Sequence, residues 1–183
     1  MSCSRLETGR LLLRPPEIAD VPRIVMLIGD FDVSKNLGRV PHPYTQADAR
    51  AYLERSARNR AEGIGFNFAV ARKWDGALIG GCGLHLEDGT FEMGYWLGKP
   101  YWGKGYATEA AKKLADFAFH SLKAERLEAG WFHDNPASGH VLEKLGARGD
   151  GARPRDCLAR GHAVYCHQMV LMRETYGRKR NAA

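Results

Sequence analysis

Between Thr90 and Ala118 the apolar residues of this chain change period. "TFEMGYWLG" alternates and "YATEAAKKLADFA" repeats at helical spacing, with "KPYWGKGYATEA", a turn holding two glycines and a lysine, bridging the two. The alternation predicts a strand with Phe91, Met93, Tyr95 and Leu97 on one face and Glu92, Gly94 and Trp96 on the other. Beyond the turn, Ala107, Ala110, Ala111, Leu114, Phe117 and Ala118 make one stripe of a helix, with Lys112, Lys113 and Asp116 opposite. Together with the strands and helices on either side, this gives the α/β pattern, with helices interrupting a mixed sheet.

The flanking segments agree. "FNFAVA" from Phe66, "ALIGGCGLHL" from Ala77 and the strand from Thr90 are separated by "KWDG" and "EDG", turn chemistry that predicts an antiparallel meander. "LLLR", Leu11 to Arg14, is a strand stopped by Pro15 and Pro16. Asp20 is placed to cap a helix striped by Val21, Ile24, Val25 and Ile28, with Pro22 in its first turn. "KNLGRVPHPYT" reads as loop, and a second helix is expected from Gln46 to Glu62 with Tyr52, Leu53 and Ala57 inward. Later, "RLEAGWF" from Arg126 reads as a strand, "NPASGHVLEKLG" as a helix closed by Gly146, and "HAVYCHQMVLM" from His162 as a final strand.

At 183 residues and 44% hydrophobic content the chain suits one domain spanning 1–183, with a basic tail at 177–183 expected to be a solvated, frayed end. No apolar run reaches the roughly 20 residues of a membrane span, and "MSCSRLETGR" lacks a secretory apolar stretch, so a cytoplasmic protein away from membranes is expected. Cys3, Cys82, Cys157 and Cys166 form no CxxC pair and are expected as free thiols. A net charge of +6 suits a nucleic-acid binder or an enzyme holding a polyanionic cofactor equally; no RNA-binding signature accompanies Trp96, Trp102 or Trp131, so nucleic acid is not the expected partner.

Three phosphate-binding readings compete for the glycine turn. "GKPYWGK" matches GxxxxGK, but Gly105 follows where a nucleoside-triphosphate loop needs a hydroxyl for magnesium. A dinucleotide fingerprint would need glycine where Thr108 stands. The third reading needs only what is present: Gly103 and Gly105 permit positive φ and close approach, and Tyr106, Ala107 and Thr108 open a helix toward an anion such as a pyrophosphate. An ordinary glycine turn remains the alternative.

"GYWLGKPYWGKGYATEA" and "DNPASGHVLEKLG" together resemble the two acetyl-CoA motifs of the GNAT N-acetyltransferase superfamily, and with "GRLLLRPPEIADVPRI" they resemble its RimJ/RimL-like branch of N-terminal acetyltransferases, from Thr8 to Tyr176. The resemblance implies a mixed, mostly antiparallel twisted sheet flanked by helices, with acetyl-CoA as cosubstrate. It implies that Gly103, Lys104, Gly105, Tyr106, Ala107 and Thr108 bind the pyrophosphate, that Tyr95, Trp96 and Leu97 run beside the pantetheine arm, and that Asn135 and Ser138 close the far side. Two departures stand out: Pro100 replaces the usual glutamine or arginine before the first glycine, and Leu142 replaces a tyrosine often found as thiolate acid.

Acetyl transfer from a thioester to an amine needs a neutral amine, a polarised carbonyl and a proton for the thiolate. Glu92 could be the base or merely a solvated charge on the sheet; the resemblance favours the base. Ser138 could donate to sulfur or cap its helix, and Asn135 before Pro136 suits an N-cap. His133 and His140 are more simply packed or exposed side chains, and Cys82 carries no mark of an activated nucleophile. Cys157, His162, Cys166 and His167 follow no common zinc spacing, so no metal is expected. The expected activity is acetyl transfer to a primary amine, foremost a protein or peptide N-terminus, by direct attack in a ternary complex. A small-molecule amine acceptor and a non-catalytic acyl-CoA-binding module are the alternatives. The oligomeric state, a homodimer included, is open.

Overall fold

The computed structural model describes residues 5–181, and Cys3 lies outside them. The described strands are β1 (Leu6–Glu7), β2 (Leu11–Arg14), β3 (Gly65–Arg72), β4 (Leu78–Glu87), β5 (Thr90–Leu97), β6 (Arg126–Phe132), β7 (Arg148–Cys157) and β8 (His162–Met172). They form one sheet in the order β1-β2-β3-β4-β5-β6-β8-β7. Every neighbouring pair is antiparallel except β5 with β6. The helices are α1 (Val21–Ile28), α2 (Phe31–Ser34), α3 (Gln46–Glu62), α4 (Tyr106–His120), α5 (Pro136–Leu145) and α6 (Arg173–Asn181).

The β3–β5 meander turns at Asp88 and Gly89, both at positive φ, the geometry a two-residue hairpin loop needs. α4 buries Ala110, Ala111, Leu114, Phe117 and Ala118, and Phe117 meets Phe66 and Phe68 edge-on from β3. These rings and Met93, Leu84 and Leu127 make the core beneath α4. Burial of this apolar surface is the main force seating the helix, at about 25 cal/mol per Å².

Several sequence expectations need correction. Asp20 occupies the N-cap of α1 without a side-chain cap bond; its carboxylate instead takes two Arg14 hydrogen bonds at 2.7 and 2.8 Å. In α3 the inward position is Ser56, not Ala57, which is exposed. The stretch after Gly149, to which the sequence pattern assigns no element, is part of β7, an edge strand that bulges between Gly149 and Ala152. The C-terminal α6 runs from Arg173 through Asn181. Buried Tyr176 anchors it, donating to the Lys112 carbonyl or the Asp116 carboxylate, each at 2.9 Å.

Candidate active site

β5 and β6 pair only at Phe91 with Leu127 and Glu92 with Glu128. Beyond Glu92 a cleft of ≈ 1420 Å³ opens, with Met93 to Leu97 on one wall and Ala129 to Phe132 on the other. Strand backbone that ends its pairing keeps donors and acceptors that must be met by solvent or a ligand. An amide-bearing chain laid along β5 would meet them. The interval from Glu92 to Leu97 covers about 16 Å of strand, and the glycine turn follows it directly.

At the turn, Gly103 and Gly105 have φ of 73° and 77°, the left-handed region, and Gly105 is the N-cap of α4. A Cβ at Gly103 would meet nothing within 4 Å, so the turn is open on that side. Lys104 is exposed, and Tyr106, Ala107 and Thr108 begin the helix, where the first N–H groups have no i−4 carbonyl partner. That arrangement fits a pyrophosphate.

The turn is tied to the start of the chain. Arg10 donates from Nη1 to the Lys104 carbonyl at 3.0 Å and from Nε to Glu109 at 2.6 Å, while its own N–H reaches Glu109 at 2.9 Å. Thr8 adds a hydroxyl to the same carboxylate at 2.5 Å. Burial works to raise the Glu109 carboxyl, but the Thr8 and Arg10 bonds outweigh it and hold it below its ordinary value.

Midway along the cleft, Tyr95 Oη donates to the Ser138 carbonyl at 2.7 Å and lies 3.1 Å from Ser138 Oγ. With the tyrosine proton committed to the carbonyl, Ser138 is the donor in the second contact. Burial raises the Tyr95 hydroxyl to about 12, so it stays protonated. Ser138 spends its side chain on Tyr95 rather than on a cap. Asn135 is the N-cap residue of α5 but makes no side-chain cap bond, and it lines the cleft. Leu142 is buried.

Where β5 and β6 join, Glu92 is paired with Arg155 of β7, whose Nη1 reaches Oε1 and whose Nη2 reaches Oε2 at 2.8 Å. Burial pushes the Glu92 carboxyl upward, but the Arg155 hydrogen bonds and charge prevail, and it lies below its ordinary value. Directly opposite Glu92 on β4 is His85. Arg55 and Tyr52 of α3 also line this end, and Asn67 Nδ2 is fixed to Ser56 Oγ at 2.9 Å. Between these groups and the glycine turn, Gly83 faces Gly94, and a Cβ at Gly94 would meet nothing within 4 Å. The sheet surface is therefore bare over Gly94, while the Asn67 side chain covers Gly83.

The cleft thus collects Glu92, Tyr95, Trp96, Leu97, Gly103, Gly105, Tyr106, Ala107, Thr108, Asn135 and Ser138; Lys104 does not line it, and its carbonyl accepts from Arg10. The Leu97 carbonyl is already occupied by Trp102 Nε1 at 2.7 Å. Of the histidines considered from sequence, exposed His140 lines the cleft and His133 does not. Cys82, Cys157 and Cys166 are free, and burial lifts the Cys82 thiol to about 12. No metal-ligating cluster occurs among the described residues. Sequence reasoning missed Arg10, Glu109, Arg155 and His85. The hairpin turn could have exposed His85, because counting back from Asp88–Gly89 sets Glu87 against Thr90 and His85 against Glu92.

Residues 10–148 match the family described as acetyltransferase (GNAT) domain. The chain is 31% identical over 174 residues to uncharacterized N-acetyltransferase p20 of Bacillus licheniformis, covering 93% of this chain and 97% of that protein. Among solved structures, a GNAT-family acetyltransferase from Bacillus anthracis superposes with TM-score 0.81 at 26% identity, covering 93% of this chain and 99% of the other. Mycobacterium smegmatis RimJ, solved with a CoA-disulfide, shares the fold with TM-score 0.80 at 18% identity over 94% and 88% of the two chains. With a family match across most of its length and the split β5–β6 pair at its centre, the chain is a GNAT-family acetyltransferase.

Proposed function

We propose that this enzyme transfers acetyl from acetyl-CoA to a primary amine, with the α-amino group of a protein or peptide N-terminus as the preferred acceptor, by direct attack in a ternary complex. The observation that carries this reading is the end of β5–β6 pairing at Glu92, which opens one continuous cleft from the glycine turn to the Glu92–Arg155 end. In this reading the first N–H groups of α4 hold the pyrophosphate, the unpaired β5 edge and the Asn135 amide hold the pantetheine arm, and Ser138, on turning its hydroxyl proton away from Tyr95 Oη, donates a hydrogen bond to the departing sulfur. Acetyl-CoA supplies the activated thioester carbonyl.

Direct attack is favoured over a covalent acetyl-enzyme because burial keeps the cleft thiol of Cys82 protonated. Glu92 keeps a place at the acceptor end as the anion that draws an ammonium inward. Serving as the base itself would require its carboxylate to leave Arg155. An α-amine, with a pKa of about 8, is free far more often at neutral pH than a lysine near 10.4, which favours N-termini. The test is incubation with acetyl-CoA and matched peptides, one with a free N-terminus and one N-blocked with an internal lysine, following thiol release and locating the acetyl group by mass spectrometry. Faster modification of the free N-terminus is expected; lysine modification with untouched N-termini would overturn the acceptor choice.

A further inference from the structure

Glu92 is a poor proton acceptor where it stands. Both its oxygens are engaged by Arg155, and moving a proton onto a carboxylate held below its ordinary value is uphill. A neighbour without these ties is needed.

His85 meets the geometric requirements. It is the direct cross-strand partner of Glu92, so both side chains leave the same face of the sheet, and both line the cleft. The next pair along the two strands is Gly83 with Gly94; the Asn67 amide lies over Gly83, while the floor over Gly94 is open. Neither ring nitrogen of His85 is hydrogen-bonded to any described residue, and neither is sealed from solvent. By contrast His42 contacts Ser34, His120 the Asp116 carbonyl and His162 the Arg160 carbonyl, while His167 stacks on Trp131.

We infer that His85 is the proton acceptor of acetyl transfer, with the Glu92–Arg155 pair setting the charge around it. The inference rests on the acetyl-CoA reading above. As the acceptor nitrogen bonds to the thioester carbonyl carbon, the carbon–sulfur bond breaks and its electron pair leaves on sulfur. One N–H proton passes to an imidazole nitrogen of His85, directly or across one water. The imidazolium gives its proton to solvent and the thiolate takes one back, so the products are the amide and the free thiol and His85 returns neutral.

The surrounding charges suit that role. Burial first, then Arg39 and Arg55, hold the imidazole below its ordinary value, while Glu87 and Glu92 pull the other way. Arg39 is itself paired with Glu87 at 3.1 Å, and Arg155 with Glu92. His85 therefore enters the neutral range uncharged and ready to accept.

The experiment is the pH dependence of kcat/KM with a free-N-terminus peptide for the parent, His85→Gln and Glu92→Gln, alongside equilibrium CoA binding and thermal unfolding. In the parent, protonation of the acceptor gives an acid limb of slope one below about pH 8, and protonation of His85 should steepen it to two at a pH lower than the ordinary histidine value of about 6.5. His85→Gln should lose the steeper limb and about 10²-fold in kcat/KM while binding CoA like the parent. Glu92→Gln should keep the steeper limb and move it to lower pH, since Glu92 favours the imidazolium. The parent's His85 Cε1–H resonance should titrate at the pH where the slope changes, a check that needs no variant to fold. A slope of two retained in His85→Gln, or a resonance titrating elsewhere, would overturn the role of His85 alone. No transfer by the parent would overturn the acetyl-CoA reading and this inference with it.

Discussion

Arg155 closes on Glu92 across 63 residues of sequence, with Nη2 2.8 Å from Oε2 and Nη1 on the other oxygen, and their side chains are 28% and 22% exposed. The pair fastens the edge strand β7 to the point where β5 and β6 part. Removing the guanidinium in Arg155→Met leaves a half-buried carboxylate unpaired, at an expected cost of about 1–3 kcal/mol at pH 7. Because the folded Glu92 pKa is depressed, its stabilisation is complete above the ordinary value of 4.5 and is lost as pH falls through the folded value. Denaturant unfolding of parent and variant should therefore differ at pH 7, and the gap should narrow as pH falls below 4.5; a gap that stays constant across that range would show that the ion pair is not its source.

Gly105 caps α4 at φ 77°, and an added Cβ would lie 3.4 Å from an Arg10 nitrogen. Gly105→Val should strain the turn and lower CoA affinity by about tenfold or more while the protein remains folded. Calorimetric titration with CoA measures this, and parent-like affinity in a folded variant would remove the turn from the binding site.

Glu109 carries its charge in the first turn of α4, beside the proposed pyrophosphate seat, and Arg10 offsets it. Arg10→Ala should weaken acetyl-CoA binding about tenfold. Adding Glu109→Gln should recover part of the loss, because the repelling charge is gone. If the double variant binds no better than Arg10→Ala, the role of Arg10 is confined to holding the turn.

The Ser138 side chain bonds to Tyr95 rather than to the end of its helix. If that hydroxyl turns to the departing sulfur as proposed, Ser138→Ala should slow turnover by about 10- to 100-fold, the worth of a hydrogen bond to a charged group, with little change in melting temperature. A fall in melting temperature without a kinetic effect would assign the hydroxyl to packing instead. Tyr95, held near 12, should contribute no basic limb to the rate in either protein.

Much of the frame was legible because its signals are local. The meander, the glycine turn and the α4 stripe each follow from residues within one or two turns of each other, and β6, α5 and β8 begin where composition and caps indicate. β7 was illegible for the opposite reason: "RGDGARPRDC" carries two glycines and a proline, which an exposed edge strand tolerates and a central strand does not. Of its residues, Arg155 is the one that lines the cleft.

By itself the sequence determined the α/β class, the antiparallel meander and the faces of β5, because hydrophobic period and turn chemistry act over short stretches of chain. The tertiary structure decided the state of the site. Glu92 is legible as a carboxylate on the correct face, but its partnership with Arg155 depends on how β7 docks, and the same applies to Arg10 with Glu109 and Ser138 with Tyr95. Charges and hydrogen bonds act through space at a few ångströms, whatever the separation along the chain, so basicity and availability are properties that the fold assigns to residues the sequence can only name.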